Sequence, residues 1–281
     1  MASIIRIIKK RISVRTFSPA GVDGKSRKIL IDYCVKNSEG PFGNKVRFVF
    51  VEETDPAMIR KLGTYGMIKG ATLYLAGTVR KSALSLVDFG YCMENAVLKA
   101  TELGLGTCWL GGFLNRGTFA ARTGLRKGEI IPAVTPVGYP SETPRFFEKA
   151  VRKFVKADNR RKFQELFFDG SPDRPLERKT CGKYGEALES VRLAPSASNK
   201  QPWRIVRAAD GKAFHFFLDE DKLYQSAFRD IRIQDVDMGI AMCHFELSSR
   251  EMGLKGGWNL PGADDSPKSS NWRFIATWKS V

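Results

Sequence analysis

The sequence contains few of the residues that metal sites and hydrolase sites use. Only two histidines occur in 281 residues, and the five cysteines form no C-x-x-C pair. Zinc sites and disulfide frameworks need paired spacing. We therefore predict no metal site, reduced and mostly buried thiols, and two structural histidines. No G-x-S-x-G segment occurs either, which leaves a serine-hydrolase site without support.

Long apolar runs are also missing. No segment approaches the ~20 apolar residues that a membrane helix needs. The first eight residues are interrupted by Arg6 and are followed by Lys9, Lys10 and Arg11. A secretory signal carries its positive charge before the apolar run, so this order predicts an amphipathic first helix instead. We expect a cytoplasmic protein that does not bind a membrane.

The charge is strongly basic, with 46 Lys and Arg against 30 Asp and Glu and a net charge of +16. Residues 145–162 hold eight basic and two acidic residues. No helix-turn-helix, RNP or zinc-finger pattern accompanies them, so we predict no nucleic-acid partner. Two interpretations of the basic segment stay open, a solvated helix face and a segment that contacts phosphate.

The chain contains an internal repeat. Residues 88–109 align without gaps on residues 237–258, at an offset of 149. The identical pairs include Asp88 and Asp237, Gly90 and Gly239, Gly104 and Gly253, Leu105 and Leu254, and Trp109 and Trp258. Asn44-Lys45 repeats as Asn199-Lys200 at an offset of 155. We predict two halves, residues 1–165 and 171–281, that form one compact unit about a pseudo-two-fold axis.

Each half reads as helix, strand, helix and strand, which predicts an α+β fold. Val236, Ile240, Cys243 and Leu247 form a helical apolar stripe, and Gly253 is expected to end that helix as Gly104 ends the first copy. Short β-branched or aromatic runs predict strands. These predicted strands are Val46–Val51, Leu73–Gly77, Arg204–Val206 and Phe214–Leu218.

Two of the four motifs that carry chemistry are basic. In an extended segment, Arg11, Ser13 and Arg15 share one face. That face suits a phosphate, because guanidinium forks match phosphate oxygens, although a basic strand edge has the same pattern. Residues 159–166, N-R-R-K-F-Q-E-L, offer further cations.

The other two motifs differ between the repeats. Residues 194–203 read A-P-S-A-S-N-K-Q-P-W, whereas the equivalent loop at residues 40–44 lacks the serines. Residues 104–113 read G-L-G-T-C-W-L-G-G-F, and their equivalent diverges after the tryptophan. Paired glycines let a flat ring approach the backbone. A purely structural motif would be needed in both copies, so we infer that these two serve a function.

Together with P-V-G-Y-P at residues 136–140, these motifs resemble the FMN-dependent nitroreductase family. The resemblance covers nearly the whole chain and is nearest to the members that fuse two half-units in one chain. It implies that FMN lies between the halves, with one complete site per chain. We therefore expect a pseudo-dimeric monomer and leave higher assembly open.

The resemblance also implies which residues bind the cofactor. The phosphate and ribityl chain would be held by the segment Arg11, Ile12, Ser13 and Arg15, helped by Arg161. Leu110, Gly111 and Gly112 would lie beside the ring, with the Gly111 N–H near flavin N5. The second half would close over the ring with Pro195, Ser196, Ala197 and Asn199.

The implied activity is a flavin-mediated transfer. FMN would take a hydride from NAD(P)H and pass electrons to a nitroaromatic, a quinone or a similar small oxidant. No catalytic side chain is predicted. A flavin- or nucleotide-binding protein without turnover is the alternative.

Overall fold

The protein's architecture is given by a computed structural model that describes residues 2–62, 66–112, 114–142, 159–226, 231–260 and 272–281. Helix starts follow local capping. The Ser3 side chain accepts the Arg6 N–H at the start of the first helix, and the Asp23 side chain accepts the Ser26 N–H at the start of the second. Such caps satisfy N–H groups that a helix leaves open.

The first part of the chain alternates helices and strands. In order, the elements are α1 (Ile4–Lys10), α2 (Gly24–Lys36), β1 (Arg47–Glu52), α3 (Pro56–Lys61), β2 (Leu73–Arg80), α4 (Ser85–Glu102), β3 (Gly106–Thr107), α5 (Arg116–Thr123), β4 (Glu129–Ile130) and β5 (Val134–Gly138). The strands form one antiparallel sheet in the order β1-β2-β5-β3, and β4 also pairs with β2. Leu75 faces Phe50 and Thr135 in this register.

The second part forms another five-stranded sheet. Its elements are α6 (Phe163–Leu166), β6 (Phe167–Asp169), α7 (Tyr184–Leu193), β7 (Trp203–Arg207), β8 (Ala213–Leu218), α8 (Lys222–Ser226), α9 (Ile233–Glu251), β9 (Gly256–Asn259) and β10 (Arg273–Ser280). The strand order is β6-β7-β8-β10-β9, with β6 and β7 parallel. Short 3-10 turns lie at Arg178–Thr180 and Ala197–Asn199.

The mixed helix and sheet class is confirmed, and so are the four predicted strands. Three of them fall within β2, β7 and β8, and Val46–Val51 overlaps β1, which begins one residue later. The striped helix is α9. Gly104 and Gly253 follow the ends of α4 and α9 with φ of +78° and +73°, the left-handed conformation in which glycine ends helices. Within the described ranges, no helix has the length and apolar character needed to cross a membrane.

The two longest helices, α4 and α9, touch through their backbones. A Cβ added to Gly90 would lie 2.1 Å from the Val236 carbonyl oxygen, and one added to Gly239 would lie 1.9 Å from the Val87 carbonyl oxygen. Each glycine thus faces the residue three positions before the other glycine. Because no side chain separates the helices at this point, the two sheets share one core.

Aromatic side chains fill that core on the side of the second sheet. Phe245 of α9 contacts the rings of Phe214 and Phe216, with centroids 5.2 and 5.3 Å apart. Trp258 and Trp278 pack against the same ring at 6.1 and 5.7 Å. All five cysteine thiols are free and buried, as the sequence analysis predicted. The register of α9 is therefore fixed by bulky packing on one side and by the glycine crossing on the other.

The helix crossing can be tested with an alanine. Gly239→Ala should lower the free energy of unfolding by about 1–3 kcal/mol or more, because overpacking against a backbone carbonyl cannot be relieved by a rotamer change. Gly117→Ala is the matched control, since its Cβ would meet only the Asn115 side chain at 3.4 Å. That helical substitution should be neutral or stabilising by up to about 1 kcal/mol. Urea unfolding of both variants measures this, and an unchanged Gly239→Ala stability would contradict the crossing.

Candidate functional site

A cavity of about 470 Å³ opens where four parts of the chain meet. They are the extended segment 11–15, the segment 108–112 that follows β3, the loop 195–199 and one face of α9. The lining residues are Arg11, Ser13, Arg15, Met67, Cys108, Trp109, Leu110, Gly111, Gly112, Ala133, Arg160, Pro195, Ser196, Ala197, Ser198, Asn199, Tyr224, Ile233, Val236, Asp237 and Ile240. A cavity of this size suits a small molecule or cofactor.

The extended segment brings its alternate side chains into the cavity, as the sequence pattern predicted. Ser13 pairs with Thr107 of β3 as an isolated parallel bridge, which fixes the segment beside the sheet. Arg11 and Arg15 are buried, at 9% and 7% exposure, and line the cavity with Ser13. Ile12, which was among the predicted binding residues, is 53% exposed and lies outside the lining. An extended backbone turns successive side chains to opposite faces.

The late basic residue of the cavity is Arg160, whereas the sequence prediction named Arg161. The Arg160 guanidinium donates to the Asn199 side-chain oxygen at 2.9 Å and to the Leu193 carbonyl at 3.2 Å. Arg161 is exposed, and its backbone N–H donates to the Gln201 side chain at 2.9 Å. Adjacent residues of this non-helical segment thus face different ways. Residues 145–158 of the basic segment lie outside the described residues.

The glycine segment forms one wall. Leu110 and Val134 exchange two backbone hydrogen bonds of 2.9 and 3.0 Å, which anchor the segment to β5. A Cβ on Gly111 would lie 2.7 Å from Cδ1 of Ile233, which also lines the cavity. The wall therefore has little room for a side chain at Gly111. The predicted Leu110, Gly111 and Gly112 all line the cavity.

The opposite wall is a strained loop. Ser198, Asn199 and Gln201 have φ of +48°, +55° and +51°, a region that non-glycine residues seldom adopt and that concentrates at functional sites. Further hydrogen bonds hold the loop besides the one from Arg160. The Gln201 N–H donates to Ser196 Oγ at 2.9 Å, Asn199 Nδ2 donates to the Asn159 carbonyl at 2.8 Å, and the Ala197 N–H donates to Asp237 Oδ1 at 2.9 Å. The predicted Pro195, Ser196, Ala197 and Asn199 all lie here.

The equivalent loop at residues 40–44 is tied differently and does not line the cavity. Asp88 accepts the Phe42 and Asn44 N–H groups at 3.0 and 2.9 Å and the Asn44 amide at 2.8 Å. Asn44 also donates to the Ala83 carbonyl at 3.1 Å and pairs with Ser82. Both Asp88 oxygens are therefore used within the fold.

One face of α9 closes the cavity. Ile233, Val236, Asp237 and Ile240 follow the i, i+3, i+4, i+7 spacing of a single helix face. Asp237 is 2% exposed, and burial is the main cause that raises its pKa to about 8, against a lowering effect of the Ala197 N–H. Burial in the cavity wall thus favours the neutral, protonated form of this carboxyl group.

A buried hydrogen-bond network lies behind the cavity, and the sequence did not reveal it. Glu94 accepts the Trp109 indole N–H at 2.8 Å, and its other oxygen lies 2.9 Å from His244 Nε2 and 4.0 Å from Arg11 Nε. His244 Nδ1 lies 2.9 Å from the Ser190 carbonyl. This network fixes two lining residues, Arg11 and Trp109, to the crossing helices. In the sequence, the one hint of this network is that the repeat position equivalent to Glu94 is Cys243, so the charged residue occurs in only one copy.

Other lining residues also escaped prediction. Met67, Ala133 and Tyr224 lie in no motif, whereas Cys108 and Ser198 lie within two of the motifs but were not predicted as binding residues. Tyr224 lies on a short helix and its hydroxyl is 2.9 Å from Ser198 Oγ. Burial raises the pKa of this phenol. Only the packing of α8 against the loop brings it to the site.

Comparison with known proteins places this geometry in context. The model of the family described as "Putative TM nitroreductase" matches residues 3–249. A crystal structure described as a "putative nitroreductase" from Thermotoga maritima superimposes with a TM-score of 0.61 at 20% identity, and the alignment covers 99% of this chain and 93% of that chain. This similarity shows a nitroreductase fold.

Shorter structures give weaker superpositions. A nitroreductase family protein from Clostridium novyi NT has a TM-score of 0.42 at 21% identity and covers 50% of this chain and 86% of its own. An FMN-dependent nitroreductase from Clostridium difficile R20291 has a TM-score of 0.40 at 16% identity and covers 50% and 88%. No curated protein matches the chain.

Proposed function

The chain belongs to the nitroreductase family, and from that premise we propose that it is an FMN-dependent NAD(P)H oxidoreductase. Its electron acceptor would be a nitroaromatic, a quinone or a similar small oxidant. The observation that carries the proposal is that three parts of the chain line one cavity. They are the segment with Arg11, Ser13 and Arg15, the Gly111 segment and the strained loop. Ten of the twelve residues that the sequence resemblance implied line that cavity.

The residues present fit a flavin nucleotide. Three guanidinium groups, from Arg11, Arg15 and Arg160, line the cavity and favour an anionic phosphate. Leu110, Ala133, Ile233, Val236 and Ile240 supply apolar walls for a ring system. Asp237 Oδ2 is a buried polar atom that has no hydrogen-bond partner within the described ranges. A ligand with a phosphate, an aromatic ring and polar ring atoms would satisfy all three features.

We assign the following roles within that proposal. Arg11, Ser13 and Arg15 would bind the phosphate and ribityl chain, with Arg160 taking the part first expected of Arg161. The Gly111 segment and the loop would enclose the ring and exclude water. When bound, FMN supplies hydride acceptance and electron transfer. The protein's own contribution is binding, orientation and electrostatics, and we assign no catalytic side chain.

We also propose that residues 1–165 and 171–281 are duplicated half-units that together build one site. The reciprocal approach of Gly90 to Val236 and of Gly239 to Val87 supports this, because all four residues are related by the 149-residue offset. The two loops support a single binding site per chain. Both carboxylate oxygens of Asp88 accept hydrogen bonds from loop 40–44, whereas Asp237 uses only Oδ1 for loop 195–201 and leaves Oδ2 for a ligand.

The activity is tested by adding FMN to the purified protein and then a reduced nicotinamide without oxygen. We expect the flavin absorbance to bleach and to return when a quinone or nitroaromatic is added. Flavin that binds and stays oxidised with both NADH and NADPH would favour a binding protein without turnover. Protein that binds no FMN would contradict the proposal.

The two equivalent asparagines separate binding from folding. Asn199→Ala removes the side chain that joins the strained loop to Arg160 and Asn159, and we expect it to weaken FMN binding by roughly tenfold, as the loss of about 1.4 kcal/mol would. Asn44→Ala removes bonds to Asp88 and the Ala83 carbonyl, so it should cost about 1 kcal/mol of stability and leave FMN affinity unchanged.

Fluorescence titration with FMN and melting curves without it measure both effects. Equal losses of FMN affinity in the two variants would show that the first loop also binds ligand. No loss in either variant would show that the strained loop has only a structural role.

A further inference from the structure

Asp237 and Asp88 occupy equivalent positions on the crossing helices but are used differently. Asp88 accepts three hydrogen bonds from loop 40–44. Asp237 accepts one, from Ala197, and its Oδ2 is buried with no hydrogen-bond partner within the described ranges. Its side chain lies in the centre of the α9 face that lines the cavity. An unpaired buried oxygen of this kind is costly unless a ligand engages it.

The surroundings of Asp237 favour a neutral carboxylic acid. The group is 2% exposed, and desolvation disfavours the charged form, so its pKa rises to about 8. Asp235, two residues earlier on the same helix, raises it further. A neutral acid that accepts the Ala197 N–H with Oδ1 has one O–H to donate from Oδ2. Because Asp237 lines the cavity, a ligand there can accept that O–H.

Other charged and titratable groups lie on α9 itself and on the elements around Asp237, and several of them are paired within the fold. Glu94 is paired with His244 and Trp109, and Asp235 is paired with Arg232 and Arg273. On the elements that pack against α9 or line the cavity, the groups are Arg6, Lys9, Lys10, Arg11, Arg15, Asp88, Tyr91, Cys92, Glu94, Lys99, Glu102, Cys108, Arg160, Tyr184, Glu186, Glu189, Arg192, Arg204, Arg207, His215 and Tyr224. Arginine stays charged at about pH 8. Burial raises the pKa of Tyr224. The Cys108 thiol also lines the cavity, so it receives its own control.

We propose that Asp237 is a proton-linked binding residue, which as a neutral acid donates a hydrogen bond to a carbonyl oxygen or ring nitrogen of an aromatic heterocycle in the cavity. This inference rests on the proposed function, under which the heterocycle is the flavin ring. Ligand binding and protonation of Asp237 then support each other, so the site loses affinity when the carboxyl ionises. This role belongs to the second half alone, because the equivalent Asp88 is saturated by its own loop.

The sign of the pH dependence follows from the raised pKa. Binding that requires the protonated carboxyl is strong below its pKa and weakens by up to tenfold per pH unit above it. The ligand-free fold behaves in the same direction. Because the folded pKa lies above the unfolded value of 3.8, the stability contributed by this group is complete below about pH 4 and is lost as the pH rises through about 8.

The test is a titration of FMN and of riboflavin at a series of pH values from about 6 to about 9.5. For the parent protein we expect a constant affinity up to about pH 7.5 and then a loss of at least tenfold for both ligands. Riboflavin excludes the phosphate as the cause, since the second phosphate pKa lies near 6. Asp237→Asn keeps an acceptor for Ala197 and an N–H donor for the ligand, so its affinity at pH 7 should lie within about threefold of the parent and should not change with pH.

Two control variants complete the set. Asp88→Asn alters the equivalent carboxyl outside the cavity and should keep the parent's pH dependence, whatever it costs in stability. Cys108→Ser removes the thiol that lines the cavity and should also keep the parent's pH dependence. If Asp237→Asn still loses affinity above pH 8, or if Cys108→Ser abolishes the loss, the proposal is wrong.

A second measurement does not depend on flavin. Infrared difference spectra of the ligand-free parent and Asp237→Asn at pH 7 should contain the C=O stretch of a protonated carboxyl in the parent, and its absence would overturn the proposal. Melting curves should show the parent losing stability relative to Asp237→Asn between pH 5 and about 8. A parent that binds FMN with no pH dependence would overturn this inference and leave the proposed function intact. If no variant binds FMN or riboflavin at any pH, the proposed function itself fails.

Discussion

The backbone contact between α4 and α9 is the constraint on which the rest of the structure depends. At Gly90 and Gly239 no Cβ separates the helices, so the two sheets share one core and the helix face that begins at Ile233 reaches the cavity. A wider crossing would move Asp237 away from the loop whose Ala197 N–H it accepts. It would also disrupt the network of Glu94 and His244, which joins the two helices at 2.9 Å. Packing at one point thus sets the geometry of the site.

Loops 40–44 and 195–201 each donate from the backbone N–H to an aspartate of a long helix, but only the second loop lines the cavity. Loop 40–44 is folded around Asp88 with its hydrogen bonds completed inside the protein. Loop 195–201 has three residues in the left-handed conformation. Hydrogen bonds with Arg160, Asn159 and Asp237 hold it in place. Strain that persists because surrounding groups enforce it is typical of binding sites. In the account proposed here, one loop kept the stable arrangement and the other kept the arrangement that binds a ligand.

Much of this could be predicted from the sequence because the signals are local. Alternation placed Arg11, Ser13 and Arg15 on one face, and the stripe and terminal glycine marked α9. The position of Arg160 rather than Arg161 could not be predicted, since it depends on how a non-helical segment meets the loop. Glu94 and Asp237 were also missed as site residues. Their roles arise from burial and from partners 150 and 40 positions away in the chain, which no local pattern encodes.

In the proposed function, two unequal halves of one chain build a single flavin site. Native mass spectrometry of the protein reconstituted with excess FMN tests it most directly, because it counts the flavins and the chains in each particle. The account predicts one FMN for each chain, with binding complete in the monomer. Two FMN molecules per chain, or flavin bound only by particles of two chains, would contradict it.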